Sequence, residues 1–222
     1  MWLPSDIAMI PPELLLEHDL SLSRVEQNPG EYIIVFPKAY SCSISTGYTI
    51  SESVYFASMT WLKNGMKHFM EAQLSCEPTM ISVESLLVAM VKRARAPPDA
   101  LHPALMTLVV LFYAELKDRN ILIDEFSTYK KATKYLKHQP GAWNVREQDE
   151  CEFCRKTLFL SRVRGLTKNN TSLCLQHAIQ IIKMRLSKKI AVPNFELDCY
   201  FTCEEMERIL SVGWNNYKSS LI

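Results

Sequence analysis

The 222-residue chain has little glycine, only six residues, and a formal net charge of +1. Scarce glycine excludes collagen-like and glycine-rich linker architectures. Near-neutral charge excludes a global field that would draw the whole chain onto nucleic acid or an anionic membrane, so any such binding has to come from local clusters. The longest apolar stretch, Ala104 to Ala114, is followed at once by Glu115 and Lys117. It falls short of the roughly 20 residues that span a bilayer and reads as a buried helix. Met1 to Pro12 has no basic segment ahead of an apolar one and holds Pro4, Asp6 and Pro11-Pro12, which argues against a secretory signal. The seven cysteines are odd in number and form no regular disulfide framework, as expected of an intracellular chain with metal-bound or buried thiols. On that reading the two overlapping sequons in Asn169-Asn170-Thr171-Ser172 are a polar loop. What is present is ordinary globular usage, 48% hydrophobic and 22% charged, enough for one sizeable core or two small ones.

Three segments differ in pattern. In residues 1–62, Glu31-Tyr-Ile-Ile-Val-Phe36 is a β-branched and aromatic run, entered through the turn signal Asn28-Pro29-Gly30 and stopped by Pro37. A second turn at Thr46-Gly47 precedes Tyr48, Ile50, Val54 and Phe56, so two or three antiparallel strands are expected. Their edges near Ile33 and Val54 would need cover from further sequence or a partner. Residues 63–145 turn to helical periodicity. Ser82 caps a stripe of Val83, Leu86, Leu87, Met90 and Val91, stopped by Ala96-Pro97-Pro98. A second helix is expected over about 104–119 and a third over about 126–138. The third would align Lys130, Lys131, Lys134 and Lys137 on one basic face, a candidate nucleic-acid surface together with Arg162, Arg164 and Lys168. Residues 146–222 hold a cysteine cluster, a helix over about 173–186, and a capping signal at Thr202-Cys203-Glu204-Glu205 for a last short helix through Leu210.

The strongest chemical signal lies in this third segment. Cys151-x-x-Cys154 and Cys174-x-x-His177 are two chelating pairs, and their four ligands suit tetrahedral zinc. A two-residue spacer lets both side chains of a pair face one ion, and no open coordination position is implied. The expected role is structural, adding folding energy to a small segment. Cys199 and Cys203 have no partner pair beside them, and Cys42 and Cys76 are also expected to be unpaired.

The stretch Gln27 to Tyr40, with Phe36-Pro-Lys-Ala-Tyr40, then Gly47-Tyr48, Ser51-Glu-Ser-Val-Tyr-Phe-Ala57 and Trp61, resembles the Jumonji C family. The similar branch is that of the lysine demethylases carrying an AT-rich interaction domain. The resemblance continues through Cys151, Cys154, Phe159-Leu160-Ser161 and Cys174-Leu-Gln-His177. It implies an α+β chain: partial double-stranded β-helix (jelly-roll) strands, a helical domain and a small zinc-binding module. Active members place an iron-binding histidine directly after the Phe-Pro-Arg-Ala-Tyr motif and an asparagine near 2-oxoglutarate a few residues on. Here those positions are Ser41 and Ser45. The family's earlier His-x-Asp/Glu pair has no counterpart, and serine is a poor substitute for imidazole in a two-His, one-carboxylate iron site. Iron and 2-oxoglutarate are therefore not expected; an active enzyme would need the missing ligand from another residue such as His18 or Cys42. The resemblance thus implies a pseudo-enzyme, a non-catalytic nuclear regulator that accompanies a Polycomb-type histone methyltransferase and other chromatin-modifying subunits, with DNA or histone as possible contacts and no membrane. The alternatives are a fragment of an active demethylase and a DNA-binding module.

Overall fold

The computed structural model describes residues 10–36, 39–54, 56, 61, 65, 67, 71, 82–93, 97–137 and 149–221. The chain divides into two compact units, 1–56 and 57–222.

In the first unit, Pro11 precedes the short helix α1 (Pro12–Glu17), with proline at its first position where the missing N–H costs nothing. The turn signal at Asn28 holds: Glu31 N donates to Asn28 O at 3.0 Å, and Gly30 takes φ +87°, the left-handed value that the third position of a type II turn demands. The strands expected around Glu31–Phe36 and Tyr48–Phe56 are not formed among the described residues. Tyr32, Ile34, Phe36, Tyr48, Ile50 and Val54 are exposed instead. A β-branched run becomes a strand only when a neighbouring strand accepts its ladder and a second layer covers its apolar face, and the described residues of this unit supply neither.

In the second unit Trp61, Gly65, Lys67 and Glu71 are helical, and α2 (Val83–Lys92) follows, where the Ser82 hydroxyl accepts from Ser85 N, as the capping signal predicts. This helix ends at Lys92, short of the prolines. Pro98 instead opens the next helix, α3 (Pro98–Asn120), which then widens into a π-helical turn at Ile121–Glu125 and a 3-10 turn at Ser127–Tyr129. Together α3 and the π turn run for 28 residues, long and apolar enough by composition to cross a membrane. Its Leu101, Leu105, Leu108 and Phe112, however, pack with α2 and with the last helix, α5 (Cys203–Ser220). Thr202 and Glu205 form the reciprocal capping box of α5, which extends ten residues beyond the predicted Leu210. Gly213 sits where α5 crosses its neighbours: a Cβ there would lie 2.5 Å from Leu105 Cδ2 and 3.0 Å from Val91 Cβ.

The basic helix predicted over 126–138 is replaced by a strand. β1 (Lys130–Tyr135) pairs in parallel with β3 (Phe195–Cys199), which pairs antiparallel with β2 (Ser161–Arg164), in the order β1-β3-β2. Lysines at 130, 134 and 137 have helical spacing, but the backbone groups of 130–135 find partners more than sixty residues away. β3 shows why: Phe195, Leu197 and Cys199 are buried on one face, while Glu196 and Asp198 meet Lys134, Arg162 and Arg164 on the other. Behind the sheet lies α4 (Leu175–Ser187), which contributes Ala178 and Ile182 to a core with Val163, Leu166, Leu173, Phe195 and Leu197.

Candidate metal centre

Cys151, Cys154, Cys174 and His177 converge: one ligand atom from each lies within 4.8 Å of all the others. The first pair sits on a tight knuckle. Arg155 N donates to Cys151 O at 2.9 Å and Cys151 N to Lys156 O at 2.9 Å, and Arg155 takes φ +58° to close the turn. The second pair opens α4, with Cys174 as the N-cap and His177 in the first turn. There the unpaired N–H groups and the positive end of the helix dipole favour a thiolate. Tetrahedral zinc with Zn–S near 2.3 Å and Zn–N near 2.0 Å requires S···N separations of about 3.5 Å. His177 Nδ1 lies 3.5 Å from Cys151 Sγ and 3.2 Å from Cys174 Sγ. The donor set therefore fits that ion.

Electrostatics agree with a ligand role. Hydrogen bonds from Cys154 and Cys174 hold the Cys151 thiol far below its ordinary value, while the hydrogen bond to Cys151 pushes Cys174 far up. A cation bound among these sulfurs would favour the thiolate form of all three. The three cysteines are buried, and the ring of Phe153 lies against His177 at 5.4 Å between centroids. Every ligand the sequence nominated thus lies in one place. Cys199 is buried at the end of β3, where loss of solvation raises its thiol to about 11, and it lies outside this cluster, as does Cys203 at the start of α5.

Two polar networks that local sequence reading missed brace the centre. Glu84 of α2, 1% exposed, accepts the Lys156 ammonium at 2.8 Å, two residues beyond Cys154. Arg119 of α3, itself buried, pairs with Glu115 and donates to Phe201 O at 2.7 Å and Leu160 O at 3.0 Å; Glu115 also accepts the Ser161 hydroxyl. Both are long-range contacts between residues that look like ordinary helix or loop charges in the sequence. The only advance signal was a charged residue on the apolar side of each helix.

The lysines nominated for nucleic acid are not on one helix face. Lys131 and Lys134 project from β1 and share Glu196, whose carboxyl they hold below its ordinary range, Lys134 most of all. Lys137 lies two residues beyond the strand. Arg162 and Arg164 are both engaged by the buried Asp198. Ser41 and Ser45 are exposed in the first unit.

Comparison with known proteins accounts for both ends of the chain. Residues 3–56 match the model of the JmjC domain, hydroxylase, and residues 151–209 that of the C5HC2 zinc finger. The chain carries a JmjC segment and a C5HC2 zinc finger. It is 26% identical over 200 residues to lysine-specific demethylase 5D of Homo sapiens, covering 86% of this chain and 12% of that protein. Protein Jumonji of Gallus gallus is 25% identical over 192 residues, 81% of this chain and 16% of the relative. Lysine-specific demethylase 5B of Gallus gallus is 26% identical over 176 residues, 77% and 11%. The chain therefore spans less than a fifth of the length of these relatives. The JmjC and zinc-finger matches bear out the family resemblance on which the sequence reading rested, and place the chain among relatives of demethylase and Jumonji type. A C5HC2 finger takes its name from seven cysteines and one histidine. Residues 151–209 hold five cysteines and His177, of which only three cysteines and the histidine meet.

Proposed function

We propose that this chain is a non-catalytic, nuclear chromatin regulator in which a single structural zinc, held by Cys151, Cys154, Cys174 and His177, organises an interaction platform. The observation that carries the non-catalytic part is Ser41 and Ser45, which stand where the family's iron-binding histidine and 2-oxoglutarate-contacting asparagine are expected. A serine hydroxyl is a weak ligand for iron(II), and a facial triad with one member missing does not hold the metal while leaving positions for co-substrate and oxygen. His18 and Cys42, the possible substitutes, are both exposed, and neither joins a metal-ligand cluster among the described residues.

The zinc supplies folding energy rather than chemistry. Its four protein ligands fill a tetrahedron and leave no position for water or substrate. It ties the knuckle at Cys151 to the start of α4, and the Glu84–Lys156 and Arg119 contacts carry that order into the helices. On this reading the partners are subunits of a histone-modifying complex of the Polycomb methyltransferase type. The deciding experiment incubates the purified chain with iron(II), ascorbate, 2-oxoglutarate and methylated histone peptides, with elemental analysis of the same preparation. One zinc per chain, no iron and no succinate above background are expected. Succinate formed in step with demethylated peptide would overturn the reading in favour of a demethylase.

A further inference from the structure

α3 presents a second feature that the zinc platform does not use. Met106, Val109, Val110 and Tyr113 recur at helical spacing on its outer side, and Met106, Val110 and Tyr113 are 49%, 66% and 72% exposed. Four large apolar residues on one exposed helix face are an unpartnered stripe rather than scattered surface residues. The stripe runs into an open groove of about 450 Å³ lined by Tyr113, Leu116, Lys117, Asn120, Ile121, Asp124 and Glu125. The groove forms where α3 widens into the π-helical turn, a local irregularity that recurs at functional sites. Leu122 of that turn goes into the core, while Asp124 and Glu125 stay exposed and take part in no ion pair among the described residues.

We infer that this face docks a basic amphipathic segment of another protein. Its apolar residues lie along Met106 to Tyr113, and a lysine or arginine enters the groove between the Tyr113 ring and the carboxylates of Asp124 and Glu125. The charge selects this occupant. The two carboxylates outnumber the one lysine of the lining, Lys117, so a cation gains a net negative groove and the aromatic face, and the carbonyl end of a helix adds a further negative potential. An anionic lipid surface or a nucleic-acid backbone meets repulsion at the same place. A second copy of the chain is disfavoured too, because two-fold pairing of α3 would set the acidic end of each helix over the Asp99-bearing end of the other. From Met106 to Glu125 the face is about 28 Å long, room for about five turns of a partner helix.

The test is fluorescence anisotropy on the zinc-loaded full chain with a labelled helical probe peptide carrying leucines at i, i+4, i+7 and i+11 and two lysines at one end. Saturable binding is expected, with at least about a tenfold loss of affinity for the Asp124→Asn, Glu125→Gln double variant. The same loss is expected for Val110→Glu and for a probe with glutamates in place of the lysines. All three variant positions are exposed, and unchanged thermal unfolding shows that the fold is kept. Equal affinity for the lysine and glutamate probes, or full binding by both variants, overturns the inference. So does Val110-dependent binding to vesicles of phosphatidylcholine and phosphatidylserine, or to duplex DNA. Self-association abolished by Val110→Glu would assign the face to a second copy instead.

Discussion

Replacing Lys156 by methionine removes a charge while nearly preserving shape, and leaves the Glu84 carboxylate 1% exposed with no counter-ion among the described residues. At 2.8 Å the pair attracts by about 6 kcal/mol at an effective dielectric constant of about 20. Desolvation of both groups consumes much of that gain, so the intact pair adds little over an apolar one, but a lone buried carboxylate costs about 3–5 kcal/mol. Lys156→Met should therefore lower unfolding free energy by about 3–5 kcal/mol, while the double variant with Glu84→Gln returns to within about 2 kcal/mol of wild type. The pH dependence is fixed by the lysine. Burial lowers its affinity for the proton, but the charge and hydrogen bond of Glu84 outweigh burial and raise it above its ordinary 10.5. A raised lysine contributes stability that is fully present below 10.5 and is lost only as pH climbs through the higher folded value. The contribution of the intact pair to wild-type stability should therefore be undiminished from about pH 7 to 9. Urea titrations followed by circular dichroism in zinc-containing buffer measure it. A single-variant loss under about 1 kcal/mol, or a double variant no better than the single, would refute the argument. The Lys156 carbonyl that accepts from Cys151 N is backbone, so zinc stoichiometry should not change.

Cys154→Ser should lose the bound zinc and, with it, the cooperative unfolding of the region from Cys151 onward, because binding energy here is folding energy. Melting curves with and without chelator check this, and an unchanged transition would mean that the four residues do not bind a metal. Gly213→Ala should cost about 1–3 kcal/mol, since its methyl would overlap the Leu105 and Val91 side chains, and chemical denaturation reads the loss. Thr202→Ala removes the hydroxyl that accepts from Glu205 N and should cost about 1 kcal/mol, visible as a lower melting temperature with no change in zinc content.

The metal cluster was legible because chelation is local: two residues between ligands fix their reach, whatever the rest of the chain does. The helix starts at Ser82 and Thr202 were legible for the same reason, since a cap bonds three residues ahead. What escaped was set at a distance. Lys130–Tyr135 has lysines at helical spacing, but its fate depends on Phe195–Cys199, whose inward Phe195, Leu197 and Cys199 offer a half-buried ladder. That alternation of Phe-Glu-Leu-Asp-Cys was readable as a strand; its parallel partner was not. The Glu31–Phe36 run shows the converse, strand composition without a ladder.

These differences bear on what the zinc organises. A finger built on its own would need only the knuckle, α4 and the sheet behind it. Here Leu160 and Phe201, just before β2 and just after β3 at one end of that antiparallel pair, share the apolar core of α2, α3 and α5, and their carbonyls are both held by the buried Arg119. Tyr200 N donates to Leu160 O at 2.9 Å, so that one carbonyl joins the sheet to the guanidinium. Loss of the metal should therefore propagate. Once the knuckle opens, Lys156 withdraws from Glu84 and the strands bearing Leu160 and Phe201 loosen, leaving two buried charges in the helical layer without full partners. A platform wired in this way unfolds as one unit, and its helical surface, the α3 face included, exists only while the zinc site is filled.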